Sequence, residues 1–197
     1  MYIIMPKRNS EKEFIFPDFP EFTPNLSPRE IFQLGSFGGT YWRPIYSSTN
    51  DKQYQNIHLH YPKSWWKDIP NENLISSWDK YNKNINYYNV KVGQTLEQWE
   101  NSGWMTQEHP YGWMHWYCDF FSGKRSPDDQ HQIERWKKLA GPKGRFRRAL
   151  INLIKKKQSK FNDFSVSPGR RQTLQHWGYK LTKKDFDEEV KRRKKLN

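Results

Sequence analysis

The stretch HPYGWMHWYCDFFSG, residues 109–123, constrains this chain more than any other. Pro110 suits the first turn of a helix and Gly123 suits its stop. At helical spacing, Met114, Tyr117, Cys118 and Phe121 fill one face, and Trp113, Trp116 and Phe120 fill another. A helix that is apolar nearly all round has no side to offer water, so it is a buried one. The rest of the chain must wrap around it. The aliphatic supply for that is thin: Leu, Ile, Val and Phe number 39 of 197 residues, beside a net charge of +13. Such a composition borders on disorder. Ten Trp and eleven Tyr tip the balance back, because each ring buries roughly 150–250 Å². The expectation is a mainly α fold: a single compact, aromatic-rich domain with a few short strands and an extended N-terminal arm.

Residues 1–25 form that arm. Pro6, Pro17, Pro20 and Pro24 remove amide donors, and Phe14, Phe16, Phe19 and Phe22 between them suit anchoring in grooves of the domain. The globular part runs over 26–186. SPREIFQLG reads as a helix with a capping box, Ser27 to Glu30, and Gly35 as its stop. TLEQWENSG repeats the device with Thr95 and Gln98. GSFGG, residues 35–39, lacks the Lys-Ser/Thr of a phosphate loop and reads as a tight turn. TYWRPIY, YQNIHLHY and INYYNVKV read as short strands, and NENLISSWDKYN as a short helix. From residue 124 the chain is helical, with starts at Ser126-Pro127, Gly144, Ser167-Pro168 and Thr182. Residues 187–197 read as a basic tail.

Charge divides the chain sharply. Residues 124–197 hold 23 Lys/Arg against 8 Asp/Glu, whereas residues 1–123 hold 11 against 13. An excess confined to one region points to a polyanionic partner. On a helix over 143–157, Phe146, Ala149, Leu150, Leu153 and Ile154 form an apolar arc. Arg145, Arg148, Asn152 and Lys155 oppose it, with Lys156 beside them, and Lys143 sits at the helix start, where free amides and the helix dipole suit a phosphate. Arg135 and Lys138 face outward on the preceding helix, and Arg170 and Arg171 open a later one.

The segments GSFGGTYWRPIYSS, NSGWMTQEHPYGWMHWYCDFFSGKRSPDDQHQIERWKKLAGPKGRFRRALIN and SPGRRQTLQHWGY resemble a conserved family of uncharacterised proteins seen in bacteria, fungi, algae and large DNA viruses. The resemblance spans roughly residues 18–186. It implies a single compact domain and carries no catalytic residue with it.

The functional reading is nucleic-acid binding, to DNA or RNA, through phosphates and with little sequence specificity. A solubilising basic face is the bland alternative, but a face of one sign repels itself unless a polyanion neutralises it. Trp42, Trp65, Trp66, Trp78 and Trp104 lie near loops. Trp65 and Trp66, between Lys63 and Lys67, are the candidates for base stacking. Two other readings stay open: an enzyme acting on nucleic acid, and a packaging protein that binds an acidic partner. For catalysis the sequence offers only Glu100, His109, His115 and Asp119, near aromatic residues that can raise a carboxyl pKa. His58 with His60, and His115 with Cys118, are pairs without further ligands, so no metal and no cofactor is expected. One cysteine and no membrane-length apolar run suggest a soluble, intracellular protein.

Overall fold

The computed structural model describes residues 6–194. The outermost residues of the expected arm and tail, 1–5 and 195–197, lie outside the described residues. Seven helices and one small sheet are present among those described: α1 Pro28–Leu34, β1 Ile45–Ser47, β2 Lys52–Tyr54, α2 Leu96–Asn101, α3 Trp113–Phe121, α4 Asp129–Leu139, α5 Arg145–Lys156, α6 Pro168–His176 and α7 Lys183–Lys194. The protein is mainly helical, as its punctuation implies. The capping boxes of α1 and α2 form, with Ser27 and Thr95 accepting from the third helical amide in each case.

Helix α3 is the hub. Every residue in it is buried except Asp119, which is half-buried. It starts at Trp113 rather than at Pro110, because Gly112 takes a positive φ of 80° that turns the chain into the helix. The arm clasps its outer side. Phe22 sits 5.1–5.7 Å, ring to ring, from Trp116, Tyr117, Phe120 and Trp136, while Phe14 meets Phe121 edge-on at 4.8 Å. A polar stitch then ties the arm to the far end of the sequence. The Asn25 side chain donates to the Lys180 carbonyl and accepts from the Lys180 amide, both at 2.8 Å. The Asn25 and Leu26 amides donate to the Gly178 carbonyl.

The middle of the chain corrects several expectations. The first strand begins after Pro44, not before it, since proline brings no amide to a ladder. It pairs antiparallel with β2, Ile45 opposite Tyr54. Ile57–His60 is a 3-10 turn entered through a left-handed Asn56, so His58 is buried while His60 is exposed, and the two share no strand face. NENLISSWDKYN makes two separate 3-10 turns, Asn71–Asn73 and Trp78–Lys80. INYYNVKV is irregular because buried Asn86 supplies its bonds: it accepts from Gly38 N–H at 2.8 Å and donates to Tyr81 and to the Val90 carbonyl at 2.7 Å. Asn86 thus pins this segment to the GSFGG turn.

Two further corrections concern the basic third. Helix α5 buries Leu150, Ile151 and Ile154, with Leu153 only partly covered, and it also buries Arg147. Arg147 pairs with Asp185 at 2.5 Å, and Tyr179 donates to the same carboxylate at 2.7 Å. The other is that residues 187–194, the start of the basic tail, continue α7 and belong to the folded domain: Glu189 is buried and Val190 packs on the core.

Candidate nucleic-acid interface

At the N-terminal end of α3, a cleft of about 650 Å³ opens, within the roughly 300–1,000 Å³ typical of ligand sites. The segment 78–105 contributes Trp78, Tyr81, Trp99 and Trp104; α5 contributes Phe146, and the end of α6 contributes His176 and Trp177. Tyr41, Tyr111 and Trp113 come from the core behind. The charged side chains in this lining are Arg43, Arg135, Lys138 and Arg145, with no carboxylate among them.

None of these four cations lies within ion-pair distance of an acid among the described residues. Arg43 spends one guanidinium N–H on the Thr40 carbonyl at 3.0 Å and lies over Trp78, 5.2 Å from the ring centre. Arg135 donates to Gln132 at 2.8 Å and lies over two indoles, Trp177 at 5.4 Å and Trp104 at 5.9 Å. Burial pushes both guanidiniums below the ordinary arginine value; both stay charged at neutral pH all the same. His176 brings no charge. The Phe37 N–H donates to its Nε2 at 3.1 Å, so the ring proton is assigned to Nδ1, and burial pushes the ring down to about 3.

A stacked column leads from the core into this cleft. Trp113 lies against Tyr117 at 5.0 Å and against Trp177 at 4.7 Å, both close to parallel. The Arg135 guanidinium continues it over Trp177, and Trp104 follows, 43% exposed. The order comes from local structure: α3 places Trp113 and Tyr117 one turn apart, and Gly178 ends α6 so that Trp177 projects beside them.

The residues expected to bind phosphate divide into three groups. Arg135, Lys138 and Arg145 meet in the cleft lining. Lys143, Asn152, Lys155, Lys156 and Arg170 are exposed outside it. Arg145, Asn152 and Lys155 share the outer side of α5, which spans about 15 Å from Arg145 to Lys155. Arg148 is on that side too, but it lies 3.5 Å from Glu189. Arg171 is a correction: it is 4% exposed and donates to the Val166, Phe161 and Asp163 carbonyls, so it is turned into the fold and away from a ligand. Trp65 and Trp66 are a second correction. They are 3% and 7% exposed, packed on Tyr61, Phe32 and Phe121, and present no free face to a base. Instead, Trp78, Trp99, Trp104 and Trp177 reach the cleft.

Of the catalytic candidates, His109, His115 and Asp119 come together, and Glu100 does not. Glu100 accepts from Ser47 and Ser48 beside the small sheet. Asp119 accepts from Tyr61 at 2.8 Å and Lys124 at 2.9 Å, with His109 Nε2 at 3.6 Å, on the edge of a smaller pocket of about 270 Å³. Burial opposes its charge, but these neighbours hold the carboxyl below the usual carboxylate range. His115, 5.2 Å from His109 ring to ring, is pushed down to about 3 by burial and by His109. Among the described residues no Ser, Thr or Cys side chain bonds to either imidazole, and no group of three or more His, Cys, Asp or Glu is placed to hold a metal. This constellation balances its own charges; the cleft does not.

The chain matches no family model, no characterised protein and no solved structure. Among the described residues no helix is long and apolar enough to cross a membrane.

Proposed function

We propose that the protein binds nucleic acid through its phosphates, with little sequence specificity. One observation carries this reading: a cleft lined by four cations, free of carboxylates, whose remaining walls are largely aromatic and aliphatic. Positive charge beside aromatic rings, with no carboxylate between them, suits a polyanion that carries flat rings. The first turn of α5 adds to it. That turn has no side-chain cap and no acidic residue, so its amides and its dipole also favour an anion. Arg43, Arg135, Lys138 and Arg145 form the contacts in the cleft, with Lys143, Lys155 and Lys156 outside it. The single cysteine, Cys118, is buried and unpaired, which suits a reducing, intracellular compartment.

The test is a titration of labelled DNA and RNA at several salt concentrations. The logarithm of the affinity should fall linearly with the logarithm of salt. A Lys138→Ala, Arg145→Ala, Lys155→Ala variant should bind more weakly, its salt slope flatter by about one unit per lost contact, with its melting temperature nearly unchanged. A folded protein that binds neither polymer at low salt overturns the proposal. A triple variant as tight as wild type at every salt leaves the basic face a solubilising surface.

A further inference from the structure

We infer that the cleft takes one unpaired nucleobase of the bound strand, seated over Trp104 and Trp177 in the place where the Arg135 guanidinium now lies. The inference rests on the function just proposed and narrows it to single-stranded nucleic acid.

The seat is defined by what fills it. A guanidinium is planar and cationic, and it lies over aromatic faces as a base would. Its distances of 5.4 and 5.9 Å from the two rings approach the long end of such contacts, about 6 Å, so the place is loosely occupied. Arg135 is also weakly held. Its one firm bond is to Gln132 on the same helix; the other, to the Trp104 carbonyl, is 3.4 Å long, and no carboxylate pairs with it. It can leave the rings for a phosphate without stranding an acid. Trp177 is braced from behind by Trp113, so its outer face is presented rigidly. Trp104 is 43% exposed, far more than a core tryptophan. Lys138 and Arg145 on the same lining meet the phosphates on either side of the base. A duplex keeps its bases stacked inside and can use only the cations; an unpaired base can use the rings as well.

The experiment compares single strand and duplex of equal length, with tryptophan fluorescence as a second readout. Wild type should favour the single strand, which should quench the tryptophans, while duplex should not. Trp104→Ala removes an exposed ring, so the fold survives; circular dichroism checks this. It should weaken single-strand binding on the order of tenfold and leave duplex binding as it was, with Trp104→Phe recovering most of the loss. Equal affinity for both forms, or a Trp104→Ala variant that binds single strand as wild type does, overturns the inference but leaves phosphate binding standing. Heparin bound as tightly as the single strand, with the same dependence on Trp104, also overturns it, since a sugar polymer has no base to seat. Failure of both nucleic-acid forms at low salt removes the underlying function together with the inference.

Discussion

Helix α7 and the cleft are both rich in cations, yet they are opposite kinds of surface. On α7, Lys183 pairs with Asp187, Lys184 with Glu11 and Glu188, and Arg192 and Arg193 both with Glu189. In the cleft, Arg43, Arg135, Lys138 and Arg145 pair with nothing acidic among the described residues. A count of charges along the sequence gives both regions the same sign. Pairing separates them: one spends its charge on acids of its own helix and of the arm, and the other leaves its charge available to a ligand. The same contrast appears inside α5, where Arg147 turns inward to Asp185 and Arg145, two residues earlier, turns outward to the cleft.

The strongest test of this division is Asp185→Ala. It strands the buried Arg147 guanidinium and should cost about 3–5 kcal/mol in denaturant unfolding. Nucleic-acid affinity per folded molecule should stay the same. A loss of affinity at full folding would dissolve the distinction between the two regions.

Acid should weaken the paired region through Glu189. Bonds from Arg192 outweigh burial and hold Glu189 at about 2, below its ordinary 4.5. A lowered carboxyl pKa contributes stability that is present above pH 5 and is lost as the pH falls toward 2. The melting temperature should therefore drop through this window, and Glu189→Gln should drop less steeply than wild type while starting lower. Parallel curves for the two would remove Glu189 as the anchor of α7.

The smallest effect is expected of Arg192→Ala, which leaves Glu189 paired with Arg193 and within reach of Arg148. Partly exposed pairs of this kind contribute under about 1 kcal/mol, so melting should shift slightly. The salt slope of nucleic-acid binding should be unchanged, since this charge is already answered. A slope flattened as much as by the cleft variants would make α7 part of the interface.

Sequence signals reached the helices because their ends carry local chemistry: Ser27 with Glu30, Thr95 with Gln98, proline after Ser167. The short strands were beyond reach, since what replaces them is long-range bonding; no local pattern reveals that Asn86 satisfies Gly38, 48 residues away. The cleft was half legible. Arg135, Lys138 and Arg145 stand out as unalternated charge, and Trp78 and Trp104 as loop tryptophans. Arg43, Trp99, Phe146, His176 and Trp177 gave no such signal. Trp65 and Trp66 misled because flanking lysines imply exposure, whereas Lys63 and Lys67 are exposed and the two rings between them turn into the core. Arg171 misled in the same way, for its carbonyl partners lie in a loop whose path only the fold decides.

The stitch between Asn25 and Lys180 has a consequence for how this protein is made. Residue 25 leaves the ribosome early, and its partner is synthesised 155 residues later. Until then the phenylalanines of the arm can close over α3 from one side only, and the arm lacks the main-chain bonds that anchor it to residues 178–180. Contacts so distant along the chain are costly to close and slow to form. Final closure of the molecule thus waits for residues 178–180, and a truncation that removes residues 178–181 should leave a nascent-like chain with its arm unlatched, exposed to proteases at the phenylalanines before residue 25.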